Sequence, residues 1–421
     1  VTVPASSGDT PGDLALRDAT GSFAANTISV EGNLILPAPS GTTSGAILEG
    51  AAEAPVFYDD LAHSNVFVGV GAAVPVTPSS SSMPATGVQN VALGGGALSS
   101  LTSGSGNTGV GASALATGAS ASDDTAVGIN ALGSGAAGAD NTAVGADALQ
   151  QDTAGTDNVA VGLISMMGNT TGSYNTVIGD GAMSGSNTAD YNVGVGFAVL
   201  VDNTSGGYNT ALGARSLATN ASGADNVAVG DLALESNTTG SSNIAVGSSA
   251  GSNIATGSNN IDIGNTAPAD ESGVIRLGTN GTQTSTYIAG IAGTTAASGS
   301  AVYVDSNGRL GTMPSSARYK DDVGDIGEAS RVLMALHPVK FRYKPQVDPA
   351  GTQQYGLIAE EVAERAPDLV IYDESGKPQA VRYNLVNAML LNEVQRQQHQ
   401  IAALTERLDA IERRERSGAT R

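Results

Sequence analysis

Cysteine and tryptophan are absent from the 421 residues, and aromatic side chains make up only 4% of them. Without cysteine there can be no disulfide framework and no thiol chemistry. With so few large rings, a thick globular core of the usual kind is not available. Lysine is missing until Lys320, and residues 1–314 hold four cations (Arg17, Arg215, Arg276 and Arg309) against 24 acidic side chains. The net charge of −20 on that part argues against electrostatic binding to nucleic acid or to an anionic membrane. Residues 315–421 are close to neutral, at −1. No apolar run is long enough to cross a bilayer, so no membrane insertion is expected. His63, His337 and His399 are scattered without metal-ligand spacing, and neither metal nor cofactor is expected.

What the chain does contain is a period. From residue 90 to 264 a 17-residue unit recurs eleven times without insertion, starting at Asn90, Asn107, Asp124, Asn141, Asn158, Asn175, Asn192, Asn209, Asn226, Asn243 and Asn260. Each start is followed by a β-branched residue, a position that is nearly always Ala or Gly, an aliphatic residue and a closing glycine, as in Asn141-Thr-Ala-Val-Gly145. A fixed period of this length predicts a solenoid whose turns bury themselves only against their neighbours. Side chains alternate along a strand, so the β-branched and aliphatic positions share one face. That pair is assigned to the inside, and the small residue to a face closely approached by a neighbouring wall or chain. The Thr column (Thr108, Thr125, Thr142, Thr176, Thr210) is assigned to core packing with it. A second inward column is expected eight residues after each of the first nine starts, at Leu98, Leu115, Leu132, Leu149, Met166, Met183, Leu200, Leu217 and Leu234. Stacked asparagines are expected to satisfy backbone groups at the corners. Asp140, Asp157 and Asp225, each preceding a start, are assigned to solvated turns.

Five segments follow. Residues 1–64 are expected to be a β-rich attachment region with a strand-like run over Thr27–Leu36. Residues 65–264 form the solenoid, with Asn65–Gly69 as a degenerate extra turn and Ala72–Val88 as a loop. Residues 265–314 are a β stem, with strands expected at Gly273–Gly278, Thr286–Gly290 and Ala301–Asp305 and a turn at Ser306-Asn-Gly308. Residues 315–383 are α+β: helical spacing over 326–337 and Gly356–Arg365, a strand at Pro338–Tyr343, and a strand pair at Leu369–Tyr372 and Gln379–Tyr383. Residues 384–414 are one helix whose heptads put Asn387, Val394, Ile401 and Leu408 at one seam position and Leu390, Gln397, Leu404 and Ile411 at the other, a coiled-coil pattern.

The stretches SSARYKDDV, LMALHPVKFRYK, QYGLIAEEV and VRYNLVNAMLLNEVQ, in that order from Ser315, resemble the C-terminal intramolecular chaperone domain of phage tailspikes and endosialidases. The resemblance implies a domain that trimerises, drives folding of the fibre ahead of it and releases itself by autoproteolysis. That family opens on Ser-Asp-x-Arg-x-Lys and is cut just before the serine. Carried onto this chain, Ser315 is the nucleophile, Lys320 the general base, Arg318 the motif arginine and Pro314–Ser315 the scissile bond. Ser316 stands where the family often has Asp.

The repeats resemble the left-handed parallel β-roll heads of trimeric autotransporter adhesins, with longer corner loops. The charged terminal helix predicts no outer-membrane anchor of their kind. Together these readings predict a mainly β, left-handed β-roll solenoid fibre, homotrimeric and extracellular, ending in a small α+β chaperone domain and a coiled-coil helix. The expected function is structural or adhesive, towards a surface glycan or protein receptor. The alternative is a phage-derived tail fibre or spike that binds or degrades a surface polysaccharide.

Overall fold

The computed structural model describes residues 45–49, 54–60, 64–72, 87–118, 120–134, 138–291, 297–305, 307–373 and 375–418. The run Thr27–Leu36 lies outside them, as does most of the loop Ala72–Val88. The chain divides into two compact units, Val1–Thr286 and Tyr287–Arg421.

The first unit is built on one 15-stranded sheet. Strands β1 (Gly45–Glu49), β2 (Ala54–Asp60) and β3 (Asn65–Val68) pair antiparallel. From β3 onward every pairing is parallel, so the extra turn at Asn65 is the first rung of the column. Eleven three-residue strands follow, from β4 (Val91–Leu93) to β14 (Ile261–Ile263), and β15 (Ile275–Leu277) closes the series. Partners lie one repeat apart, as in Val193 opposite Thr210 and Val195 opposite Leu212. This is a parallel β-solenoid.

The inside of the column is not the face the alternation suggested. The small middle residue of each strand is buried: Ala92, Ala126, Ala143, Ala160, Ala211, Ala228 and Ala245 are fully covered. The β-branched and aliphatic positions beside it face outward, half-buried or exposed, with Leu93 at 48% and Val195 at 37%. The Thr column is therefore on the outer face too. The reason is the narrowness of the turn. A Cβ built on Gly194 would lie 3.2 Å from Val199 Cγ1, and one on Gly109 3.4 Å from Leu98 Cγ. The space between the strand and the opposite wall is narrow, so most rungs place Ala or Gly there and point the larger residues away; from β4 to β14, Val177 and Asp262 are the two larger side chains that take the slot.

That opposite wall is the Leu/Met column, which is buried as expected. Each of these side chains contributes on the order of 2–3 kcal/mol by leaving water. Their backbones adopt left-handed conformations, for example Leu98 at φ 52° and Leu200 at φ 53°. Bulky L-residues disfavour that region, so the corner is held by packing and by rung-to-rung hydrogen bonds such as Leu98 N–H to the Ala114 carbonyl, 2.9 Å.

The asparagine ladder is complete on both sides of its single Asp. Asn209 Nδ2 donates to Asn192 Oδ1 (3.1 Å) and to the Gly223 carbonyl (2.9 Å), and Asn209 N–H donates to Asn192 Oδ1 (3.0 Å). All of these side chains are buried. The last rungs change character: Asp262 takes the inward slot of β14, opposite Arg276, which donates to Glu271 (2.6 Å). Beyond them Asp270 accepts the Thr256 hydroxyl and the N–H groups of Ala255, Thr256 and Gly257. These bonds hold its carboxyl well below the usual carboxylate range. They give partners to backbone donors that have no further rung to meet.

The second unit begins with a hairpin of β16 (Tyr303–Val304) and β17 (Leu310–Gly311). Thr286–Gly290, expected as a strand, takes no regular structure. A 3₁₀ helix, Gly327–Ala335, stands where helical spacing was expected. Strands β18 (Val339–Arg342) and β19 (Gln353–Gly356) pair antiparallel, and helix α1 (Ala359–Arg365) starts only after Gly356 has closed β19. Strands β20 (Val370–Tyr372) and β21 (Pro378–Val381) pair antiparallel, and α2 (Tyr383–Gly418) is the long terminal helix. Val362, Ala366, Leu369 and Val370 form the small core, with Leu333, Leu336, Val386 and Met389 packed on it.

Candidate functional site

The segment Ser315–Lys320 is built around a single 3₁₀ turn, Ala317–Tyr319, in the second unit. Ser316, in extended conformation at its N-cap, accepts the Tyr319 N–H through its carbonyl (3.1 Å), and the Lys320 N–H donates to the Ala317 carbonyl (3.1 Å). The turn folds Ser315 and Lys320 to its two ends. Pro314, Ser315, Arg318 and Lys320 are all exposed in the single chain. The Arg318 guanidinium lies 4.6 Å from the Tyr319 ring centroid, a cation–π contact. No hydrogen bond joins Ser315 Oγ to Lys320 Nζ among the described residues. The segment before the motif touches the terminal helix: Asn384 Nδ2 donates to Met313 Sδ at 3.6 Å.

The surrounding scaffold is pinned by a polar cluster. Ser330, fully buried, donates to Glu393 Oε2 (3.0 Å) and accepts Asn392 Nδ2 (2.7 Å); Asn392 also donates to the Gly327 carbonyl (2.9 Å). Arg396 completes the charge balance with Glu393 (2.9 Å) and Glu328 (3.2 Å). Each buried polar atom thus has a partner, and the 3₁₀ helix is fixed on α2. Beside this contact an apolar groove of about 680 Å³ opens, lined by Leu333, Met334, Leu336, Val339, Tyr355 and Leu390. Along α2 the seam residues Leu390, Val394, Ile401, Leu404, Leu408 and Ile411 are all about half exposed or more.

Residues 315–371 match the family model described as chaperone of endosialidase, Peptidase_S74. The chain carries a C-terminal Peptidase_S74 domain. In this chain the Peptidase_S74 domain follows a β-solenoid, and the family implies a self-cleaving intramolecular chaperone. No curated protein and no solved structure matches the chain. No described helix is long and apolar enough to cross a membrane. Among the described residues no cluster of three or more His, Cys, Asp or Glu side chains is placed to hold a metal ion.

Sequence reasoning missed one surface feature. Tyr174, Tyr191 and Tyr208 precede three successive starts and stack face to face, with centroids 4.9 Å apart and planes within 3° and 9°. They lie half exposed on one corner of the solenoid. Their spacing of 17 was the available signal: residues at one position of the period must lie above one another, one strand spacing apart.

Proposed function

We propose that this chain is the protomer of a homotrimeric extracellular fibre, structural or adhesive, whose Peptidase_S74 domain guides trimerisation and folding and then cuts the chain before Ser315. The observation that carries the trimer is the outward face of the solenoid. A monomeric protein rarely presents contiguous aliphatic columns over so many rungs, and such faces are normally covered by a partner. The exposed seam of α2 supports the same reading at the other end of the chain. Changing Val195, Leu212 and Val246 together to Glu is expected to convert three-chain particles to single chains in native mass spectrometry. The circular dichroism of the rungs should be retained, because all three side chains are already outside. Persistence of the trimer in that variant would remove this face as the interface.

In the proposed cleavage, Ser315 Oγ attacks the carbonyl carbon of Pro314 as its proton passes to Lys320 Nζ. The Pro314–Ser315 C–N bond breaks, the proton moves on to the Ser315 nitrogen, and water hydrolyses the resulting ester. A lysine serves as base only when its amine is neutral, a state favoured by removal from water. Lys320 is exposed in the single chain, so the proposal ties cleavage to assembly.

The second reading, a tail fibre or spike that binds a surface polysaccharide, draws support from the tyrosine stack, since exposed aromatic side chains are common in binding surfaces. On this reading a glycan array probed with the assembled fibre gives binding that is lost when Tyr174, Tyr191 and Tyr208 are all changed to Ala. Turnover of any glycan would reject a purely structural role.

A further inference from the structure

The ladder requires a hydrogen-bond donor at a fixed place in each rung. Asn107 Nδ2 gives to Asn90 Oδ1 (3.1 Å) and the Ala121 carbonyl (2.7 Å), and Asn158 Nδ2 gives to Asn141 Oδ1 (3.2 Å) and the Gly172 carbonyl (2.8 Å). Asp124 occupies this slot in one rung, 2% exposed. Its N–H donates to Asn107 Oδ1 (3.1 Å), and its Oδ1 accepts the Asn141 N–H (2.8 Å), as the ladder demands. Its other oxygen replaces an amide nitrogen whose partners, by register, are Asn107 Oδ1 and the Gly138 carbonyl. Both are acceptors, and an ionised carboxylate has nothing to give them.

A second, shorter ladder repeats the problem. Asn169, Asn203, Asn220 and Asn237 each donate Nδ2 to the carbonyl three residues on, at Gly172, Gly206, Gly223 and Gly240 (2.9–3.0 Å). Asp152 stands in that series, 1% exposed. Its Oδ1 accepts the Gly155 N–H (2.9 Å) and Asn169 Nδ2 (3.1 Å), while its Oδ2 is buried with no hydrogen-bond partner. A buried oxygen left in this state is costly as an anion, whereas a protonated carboxyl can donate as the amide does.

We infer that Asp124 and Asp152 are carried as neutral carboxylic acids in the folded solenoid, and that the adjoining rungs holding them form a proton-dependent joint in the column. Their surroundings agree. Asp123, Asp140 and Asp157 line the neighbouring corner column and Asp147 lies on the intervening turn, and all are acids. Between Arg17 and Arg215 the sequence has no Lys or Arg to neutralise a charge there. Burial pushes Asp124 up to about 7, with Asp152 and Asp140 adding like-charge repulsion, and burial pushes Asp152 up to about 6.

The direction of the effect follows. Below the unfolded value of 3.8 both states are protonated and neither group costs anything. As pH rises from there towards 7 the open form ionises first, so the folded rungs lose stability. Above about 7 both forms are charged and the loss levels off.

Hydrogen exchange of the full chain, corrected for the intrinsic pH dependence of exchange, tests this on peptides covering residues 121–157. Opening of these rungs is expected to rise roughly tenfold per pH unit for each acid it exposes, from about pH 5 up to that acid's folded value, and to flatten above 7. The double variant Asp124→Asn, Asp152→Asn should be flat and closed throughout, while Asp140→Asn, at a solvated corner, should keep the wild-type slope. Infrared spectroscopy gives an independent check: at pH 5.5 the band of protonated carboxyl groups should diminish in the double variant. A wild type without slope, a double variant that retains it, or an unchanged infrared band overturns the inference. So does restoration of closure at pH 8 by added calcium in the wild type alone, which would mean that these oxygens are bridged by a cation and not by a proton.

Discussion

Ser315→Ala is expected to remain a full-length chain under conditions in which the assembled wild type is cut into residues 1–314 and 315–421. The effect is all-or-none because the hydroxyl supplies the bond-forming atom, and no neighbouring group can replace it at the Pro314 carbonyl. Lys320→Ala is expected to be nearly as inert, since an unassisted hydroxyl is a weak nucleophile. Ser316→Asp, which restores the acid often found at this point of the motif, is expected to speed the reaction. Both Ser315 and Lys320 are exposed, so stability should change by no more than about 0.5 kcal/mol and the variants should still assemble. Denaturing gels read the cleavage, and cross-linking before denaturation reads the assembly. Cutting in Ser315→Ala would dismiss the nucleophile, and a wild type that stays whole after assembly would dismiss self-cleavage.

Gly179→Ala is expected to be the most damaging single methyl that can be added at a closing glycine of the solenoid. The glycine sits at φ 148°, and an added Cβ would stand 2.0 Å from the Gly196 carbonyl oxygen. The same approach recurs at the nine closing glycines from Gly94 to Gly230, where φ runs from 131° to 148° and the contact from 2.0 to 2.5 Å. The obstruction is backbone of the next rung, so no rotamer change can relieve it. Adjacent rungs would have to part, and the bond from Gly196 N–H to the Ile178 carbonyl (2.9 Å) would stretch. A cost on the order of 4 kcal/mol is expected, combining backbone strain with loss of rung packing. Gly181→Ala is the control: it also has a positive φ, but its added Cβ meets nothing within 4 Å. Thermal melts of the two variants should therefore differ by several degrees. Equal melts would mean that the rungs are looser than these contacts require.

The period, the asparagine ladder and the Leu/Met wall were all legible from the sequence, because each depends on a residue type recurring at a fixed offset. The orientation of the strands was not. In a strand of three residues, alternation separates the middle from the flanks without saying which faces inward. Hydrophobicity favoured Val159 and Val161 over Ala160, and the width of the turn decided for Ala160. The motif from Ser315 to Lys320 was legible as a string of residue types, yet its exposed 3₁₀ turn was not, since no periodicity marks a single turn. Thr286–Gly290 had strand-like composition but takes no regular structure, since composition alone does not make a strand. The buried acids were visible only as exceptions, Asp124 in a column of asparagines and Asp152 in a shorter one. Their meaning depends on knowing what the neighbouring nitrogens touch.

The ladder also bears on how such a protein can change length over evolution. Every asparagine receives from the rung below what it presents to the rung above, so a whole unit can be gained or lost without either neighbour meeting a new surface. Reach would then vary in increments of one rung, roughly 4.8 Å. The shorter ladder tolerates an 18-residue step between Asn169 and Asn187, whereas the main series keeps to 17 from Asn90 to Asn260. Unequal exchange between repeats in the gene would thus yield working fibres of graded length far more often than random insertion would.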